Sequence, residues 1–302
     1  MRVVISLATR GRGQQLISTV QQNMKMCSRP DTTLVIQADQ DDYETLARLT
    51  TAQLDKRVVI NVKPREDTIA EKWNRAMEIP ADVYVVAADD DPYVQQDTDE
   101  RILQAAQLFP EGIGMVYGHM ANASFSGVVA PTAKLVELLG YIQPAYFPYW
   151  FCDHWTDDIA RMINRISYAD IRTDQRMAGQ TQEMREPLWW STWFDANYQV
   201  RRLEALKVID QLDEPEWRKQ MARNSVRWVE FRSRWINDNV RLGMKSHYAD
   251  TKDERYQRVK QKAIETVPKL LATMDPQEAA YFSAALDPSP TLISIPKAYA
   301  RA

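Results

Sequence analysis

The chain has 302 residues, of which 45% are hydrophobic, 10% aromatic and 26% charged; this composition excludes a disordered or collagen-like chain and fits one or two globular domains. The net charge of −3 gives no bulk attraction to nucleic acid or anionic membranes. Only two cysteines are present and no CxxC motif, which excludes a thiolate zinc site and a disulfide scaffold. No apolar run approaches the roughly 18–20 residues of a membrane-spanning helix. We therefore expect a cytoplasmic protein without a transmembrane segment.

Four short apolar segments in the first part of the chain predict β-strands, at Val3–Leu7, Thr33–Ala38, Arg57–Val62 and Val83–Ala87. The segments between them carry apolar residues at helical spacing. Strands that alternate with helices form βαβ units and a parallel sheet. Because all four strands are apolar on successive positions, we expect the sheet to be covered on both faces.

The next part of the chain continues the alternation. Glu111–Ala130 is strand-like, Pro131–Leu139 is a short helix, and Tyr141–Trp155 is an aromatic loop interrupted by prolines. Asp157–Asn164 predicts a further helix and Ile166–Ile171 a further strand. These elements extend the same α/β domain, which we place at residues 1–188.

The character of the sequence changes after Pro187. Six of the nine tryptophans lie between Trp189 and Trp235, and the pattern from there to the end is mainly helical. We therefore predict a tryptophan-rich, mainly helical C-terminal extension over residues 189–302. An apolar stripe at helical spacing follows the helix start at Asp213, and it consists of Trp217, Met221, Trp228, Phe231 and Trp235. We interpret this stripe as core packing against the sheet domain.

Three adjacent carboxylates, Asp89, Asp90 and Asp91, follow the fourth predicted strand directly. Their mutual repulsion favours a bound divalent cation, and oxygen-only ligation suits Mg²⁺ or Mn²⁺. The alternative is a solvated acidic turn ended by Pro92. The position at a strand end favours the metal, since ligands of parallel sheets bind beyond the carboxyl ends of the strands.

The turn after the first strand, Thr9-Arg10-Gly11-Arg12, offers two guanidinium groups and backbone amides at a helix start, which is a suitable anion site. It lacks the residues of a P-loop and the spacing of a dinucleotide-binding motif. Asp39 ends the second strand and could accept hydrogen bonds from a base or ribose, or it could be a simple turn residue.

The order of these features along the chain resembles that of a nucleotide-diphospho-sugar transferase of the GT-A type, most similar to glycosyltransferase family 2. The features are the first turn Thr9-Arg10-Gly11-Arg12, Asp39, a helix carrying Lys72 and Asn74, and the acidic triplet. The resemblance covers about residues 1–175, with the acidic triplet similar to the family's DxD motif. It implies a GT-A fold, a Rossmann-like, mostly parallel sheet flanked by helices, with a nucleotide-sugar half at 1–92 and an acceptor half at 93–188. The donor would be bound by Thr9, Arg10, Arg12, Asp39, Lys72, Asp89 and Asp90.

The resemblance also implies a metal site and a catalytic base. Mn²⁺ or Mg²⁺ would be held by Asp91 and Asp89, with His247 as a further ligand. The base that deprotonates the acceptor hydroxyl would lie in the stretch Trp150–Asp158. Asp153 fits this role best, Asp157 lies four residues later on the same helical face, and Asp158 is a third candidate.

The resulting prediction is a metal-dependent, inverting glycosyltransferase that uses a nucleotide-diphosphate sugar. The acceptor stays open: a glycan, a small molecule or a polymer, including nucleic acid.

One alternative keeps the fold and makes the protein a sugar-1-phosphate nucleotidyltransferase. The other is a non-catalytic nucleic-acid-binding protein, because residues 201–263 carry 16 Lys and Arg against 10 Asp and Glu. Its candidate residues are Arg218, Arg223, Arg227, Arg232, Arg234 and Arg241.

Overall fold

The computed structural model of the protein describes residues 1–120, 128–174, 186–243 and 253–287. Seven strands form one sheet: β1 Val3–Ala8, β2 Thr33–Asp39, β3 Val58–Lys63, β4 Val83–Ala88, β5 Met115–Met120, β6 Val129–Pro131 and β7 Ile166–Thr173. Their spatial order is β3-β2-β1-β4-β6-β5-β7. Only β6 runs antiparallel to its neighbours, so the predicted mostly parallel sheet is confirmed.

Twelve α-helices surround the sheet or follow it in the described part of the chain. They are α1 Gly13–Met26, α2 Tyr43–Thr51, α3 Ile69–Asn74, α4 Thr98–Ala106, α5 Ala133–Leu139, α6 Cys152–Met162, α7 Pro187–Ala196, α8 Tyr198–Gln211, α9 Glu216–Ser225, α10 Trp228–Gly243, α11 Glu254–Leu271 and α12 Pro276–Ala285. Short 3₁₀ helices occupy Arg75–Glu78 and Pro110–Gly112. The described part of the C-terminal extension is helical, as the sequence predicts.

The central strands pair in the register that their apolar residues require. Ile5 of β1 lies opposite Leu34 of β2 on one side and Val85 of β4 on the other, and all three side chains are fully buried. Because β1 lies between β2 and β4, the loops that follow these three strands meet at one edge of the sheet. This arrangement positions the candidate site.

Strand β3 is an exception to the prediction that the sheet is covered on both faces. It is the edge strand and pairs only with β2 in the described part of the chain. Val59, Ile60 and Val62 are each at least 40% exposed. The sequence misleads here because β-branched residues favour a strand whether or not anything packs on it.

Helix α6 begins at Cys152, five residues before the predicted start at Asp157. Phe151 adopts a left-handed backbone conformation with φ of 75°, which ends the preceding aromatic loop. The earlier start places Asp153 in the first helical turn, where a carboxylate is stabilised by the helix dipole.

The larger apolar core joins the sheet to the C-terminal extension. It runs from Val4 and Tyr84 on one face of the sheet through Trp155 of α6 to Phe194 of α7 and Phe282 of α12. The extension therefore packs on the sheet domain through shared buried side chains. None of the helices in the described ranges is both long and apolar enough to cross a bilayer.

The apolar stripe after Asp213 is a correction to the sequence analysis. It spans two helices, α9 and α10, and most of it faces solvent: Trp217, Met221, Phe231 and Trp235 are 60–77% exposed. Only Trp228 packs against the core, and it does so partly buried. The buried face of α10 is instead formed around Val229, Ser233 and Ile236. Two neighbouring faces of this helix are apolar, and periodicity alone cannot choose between them.

Candidate active site

A cavity of about 380 Å³ opens at the carboxyl ends of β1, β2 and β4. Its lining includes every residue that the sequence assigns to donor binding: Thr9, Arg10, Arg12, Asp39, Lys72, Asp89 and Asp90. The seven residues lie between Thr9 and Asp90 in the sequence. The strand order brings them together, because each one follows a strand or faces a loop that follows a strand. We call this space the rim cavity.

Asp39 forms the floor of one side of the rim cavity and is fully buried. Lys72 donates from Nζ to Asp39 Oδ2 at 2.7 Å and to the Thr9 carbonyl oxygen at 3.1 Å. Arg10 lies 3.1 Å and Arg75 3.5 Å from the same carboxylate. Burial lowers the pKa of Lys72, and the Asp39 carboxylate opposes that shift. Arg10 also pairs with Asp41 at 2.7 Å and Arg75 with Glu66, so the three cations around Asp39 are matched by three carboxylates.

The other side of the rim cavity is built around Asp89. Thr9 donates from Oγ1 to Asp89 Oδ2 at 2.8 Å. Arg12 bridges the acidic triplet, because its Nη1 lies 2.8 Å from Asp89 Oδ1 and 3.0 Å from Asp90 Oδ2. Burial raises the pKa of Asp89, whereas the Arg12 charge lowers it. Arg12 thus contacts two of the three adjacent aspartates, and its single charge offsets half of their combined charge.

Asp91 differs from its two neighbours. It does not line the rim cavity; it is 7% exposed, and its Oδ1 has no hydrogen-bond partner in the described part of the chain. Burial raises its pKa to about 6, a hydrogen bond with the Thr173 side chain opposes this shift, and the charges of Asp90 and Asp174 add to it. A buried carboxylate oxygen without a hydrogen-bond partner lowers the stability of the fold unless a ligand or an ion binds to it.

The acidic triplet fits a divalent cation in its donor chemistry. All of its side-chain donors are carboxylate oxygens, and one of them is buried and unpartnered, which suits Mg²⁺ or Mn²⁺. No group of three or more metal-ligating side chains in ready-made geometry occurs within residues 1–120, 128–174, 186–243 and 253–287. His247, the predicted third ligand, lies outside the described residues.

The three candidate bases on α6 have different surroundings. The Asp153 side chain is 47% exposed, and its Oδ1 lies 3.0 Å from His154 Nδ1. Dense packing nearby raises the pKa of Asp153, but His154 and the backbone N–H groups overcome this effect, so that the pKa lies below its usual value. Asp153 is therefore ionised and accessible at neutral pH, as a proton acceptor must be.

Asp157 and Asp158 are instead held by arginines. Asp157 pairs with Arg161 at 2.9 Å and with Arg232 of α10. Asp158 is fully buried and pairs with the equally buried Arg201 of α8 at 2.9 Å, and also with Arg232. These pairs tie α6 to the C-terminal extension, so Asp158 has a packing role.

Ion pairs and hydrogen bonds within the protein also occupy most of the arginines that could have formed a nucleic-acid-binding face. Arg223 pairs with Asp210 and Glu216, and Arg234 pairs with Asp195. Arg241 donates to Asn237 and Thr192, and Arg232 is bound to α6. Four of the six candidate arginines are thus engaged within the protein.

Several residues of the rim cavity escaped the sequence analysis. Arg65 and Tyr149 line it from the loops after β3 and before α6, and Arg255 lines it from the start of α11. Arg75, which donates to the Ala38 carbonyl oxygen at 3.0 Å, lies three residues after Lys72 on the same face, a signal that could have been used. Arg255 carries no such signal, since its position depends on how the C-terminal extension packs.

No protein-family model and no curated protein sequence matches the chain. Solved structures of S. aureus TarS are similar to it. TarS 1–349 in complex with UDP-GlcNAc aligns with a TM-score of 0.55 at 14% identity, over 95% of this chain and 88% of that chain. The UDP complex of the same fragment has a TM-score of 0.50 over the same shares. At this identity the likeness concerns architecture, and it agrees with the strand order and the rim cavity: the chain has the GT-A fold.

Proposed function

We propose that the protein is a glycosyltransferase that moves a sugar from a nucleotide-diphosphate donor to an acceptor hydroxyl, in the cytoplasm. The observation that carries the proposal is the convergence of seven donor-binding candidates on one cavity at the carboxyl ends of the central strands. The similar TarS structures contain UDP-GlcNAc or UDP, which supports a sugar nucleotide as the ligand class. In this proposal Lys72, Arg10 and Arg12 bind the diphosphate and Asp39 accepts from the nucleoside.

We propose Asp153 as the base that takes the proton of the acceptor hydroxyl. The hydroxyl oxygen forms a bond to the anomeric carbon while the bond to the diphosphate oxygen breaks, so the configuration at that carbon inverts in one step. The proton ends on Asp153 and the electron pair leaves with the diphosphate. Asp157 is the second candidate, but its ion pairs with Arg161 and Arg232 restrict the access of an acceptor hydroxyl to its carboxylate.

The proposal includes a divalent cation, Mn²⁺ or Mg²⁺, held by Asp91 and Asp89 with His247 as a further ligand. Bound there, the ion would neutralise charge on the leaving diphosphate. The unpartnered buried oxygen of Asp91 supports this placement. Arg12 would have to release Asp89 in part, and its guanidinium would then be free for a phosphate.

A thermal-shift panel tests the proposal. Uridine, guanosine, adenosine and cytidine diphosphates are each added with Mn²⁺, with Mg²⁺ or with EDTA. We expect one nucleotide to raise the melting temperature by several degrees, with the larger rise when metal is present. Nucleoside triphosphate turnover with release of pyrophosphate would instead favour the nucleotidyltransferase alternative. No shift with any diphosphate would remove the sugar-nucleotide site altogether.

A further inference from the structure

A second cavity lies beside the rim cavity and belongs to none of the functions discussed above. It has a volume of about 830 Å³ and is a groove between helices α8 and α11, within the range of small-molecule sites in proteins. Asp67 and Thr68 line both the groove and the rim cavity. Asp153 lines neither of the two cavities.

The walls of the groove are apolar. Val200, Leu203 and Leu206 recur every three residues along α8, and Val259, Ala263 and Leu270 line the facing side of α11. Leu203 is 63% exposed although it belongs to this apolar surface. An exposed apolar wall on a concave surface is typical of a binding site rather than of ordinary surface.

The aromatic floor of the groove is held rigid. Trp155 donates from Nε1 to Glu204 Oε2 at 2.7 Å, and Tyr146 donates from its hydroxyl to Glu204 Oε1 at 3.1 Å. The two rings meet edge to face with centroids 4.8 Å apart. Because one carboxylate fixes both rings, the floor is formed before any ligand binds, which reduces the entropy lost on binding.

The charge at the edge of the groove is positive. Arg202, Lys262 and Lys269 line it, against Asp67 and Glu71. Asp67 is already paired with Arg258 at 2.6 Å, and Glu71 forms a capping box with Thr68 at the start of α3. Arg202 and Lys269 make no ion pair in the described part of the chain, and Arg202 makes one hydrogen bond there, to Gln199 at 3.4 Å. Two cations are thus free for a ligand.

We propose that the groove binds an amphiphile with an apolar chain and an anionic head, with the chain along the walls and the head at Arg202 and Lys269. The apolar walls of the groove favour a ligand with an apolar part over a free inorganic anion. The unpaired cations disfavour a cationic or zwitterionic head. This inference does not depend on the proposed transferase activity.

The test is binding of dodecyl phosphate, measured by tryptophan fluorescence and calorimetry below the concentration at which micelles form. We expect saturable binding at one site. Inorganic phosphate, which has the head without the chain, should show no binding. Dodecyl maltoside, which has the chain without the charge, should bind at least tenfold more weakly.

Paired variants locate the site. Leu203→Asp should weaken dodecyl phosphate binding at least tenfold. Leu242→Asp alters a leucine outside the groove that is 71% exposed, against 63% for Leu203, and should leave the binding unchanged. The double variant Arg202→Glu, Lys269→Glu should reduce affinity for dodecyl phosphate but not for the maltoside, with Lys207→Glu on the same helix α8 as the control. The proposal would be overturned if dodecyl phosphate showed no saturable binding, or if its affinity were the same for the wild-type protein and both groove variants.

Discussion

The protein contains two sets of three aspartates that are close in sequence, Asp89–Asp91 after β4 and Asp153, Asp157 and Asp158 on α6. The two sets have a similar pattern of ion pairs. In each set arginines engage two carboxylates and leave the third. Arg12 binds Asp89 and Asp90, and Asp91 keeps an unpartnered oxygen. Arg232 binds Asp157 and Asp158, and Asp153 stays exposed beside His154. In the proposed function, the carboxylate that no arginine holds is in each set the one with a chemical role, Asp91 as metal ligand and Asp153 as base.

Replacing the exposed carboxylate of α6 should have the largest effect. Asp153→Asn removes the proposed base, so we expect the transfer rate to fall about 10²–10⁴-fold with donor binding retained, the usual contribution of general base catalysis. The check is a steady-state assay together with calorimetry of nucleotide binding. Asp157→Asn is the matched control and should lose less than tenfold. If the two variants exchange these effects, the base has been assigned to the wrong carboxylate.

Removing the arginine of a buried pair should destabilise the fold. Arg201→Ala leaves Asp158 buried with one partner fewer, and breaking such a pair costs about 3–5 kcal/mol. Urea unfolding measures the loss. Arg161→Ala breaks an exposed i,i+4 pair with Asp157 and should cost less than about 1 kcal/mol. Equal losses from the two variants would show that the Asp158 pair does not anchor α6.

The buried carboxylate of Asp91, which no arginine holds, should lower the free energy of unfolding at neutral pH. The folded pKa of Asp91 is about 6, above the usual unfolded value of about 3.9. The native state therefore holds the proton more tightly, and stability falls as the pH rises through that window, by about 2–3 kcal/mol in all.

In EDTA, Asp91→Asn should accordingly raise the free energy of unfolding at pH 7.5 and bring little gain at pH 4.5. Asp90→Asn, at a carboxylate bound by Arg12, should bring no gain at either pH. Chemical denaturation at the two pH values decides the matter, and a pH-independent effect of Asp91→Asn would contradict the assignment.

The smallest effect concerns the outer face of α10, the helix that supplies Arg232. Trp235 is 66% exposed, so Trp235→Ser should change stability by no more than about 0.5 kcal/mol. Trp193→Ser is the contrast, since Trp193 is 5% exposed, and loss of a buried tryptophan costs about 3–5 kcal/mol. A large loss from Trp235→Ser would restore the core-packing interpretation of the stripe.

The sheet and the rim cavity could be predicted from the sequence because their rules are local. Short apolar runs define the strands, and the topology of parallel sheets places Thr9, Asp39 and Asp89 at one edge regardless of details. Lys72, which lies on the helix before β4, is assigned to the site only by the resemblance to GT-A enzymes. The resemblance to GT-A enzymes then added roles to positions that the topology had already gathered.

The remaining features depend on contacts between distant segments. Nothing near Asp158 in sequence indicates that Arg201 and Arg232 will bind it, so the three candidates on α6 could not be separated. The exposure of Phe231 and Trp235 depends on which face of α10 meets α7 and α8. The contribution of Arg255 to the rim cavity depends on the docking of α11, for which the chain carries no local pattern.

The most direct test is a crystal structure of the protein grown with Mn²⁺ and the nucleoside diphosphate that stabilises it most. We expect the nucleotide in the rim cavity, with its phosphates against Lys72 and Arg12, the nucleoside beside Asp39, and the metal on Asp91. A nucleotide bound elsewhere, or a rim cavity that stays empty at saturating nucleotide with Arg12 still bridging Asp89 and Asp90, would contradict the proposed donor site.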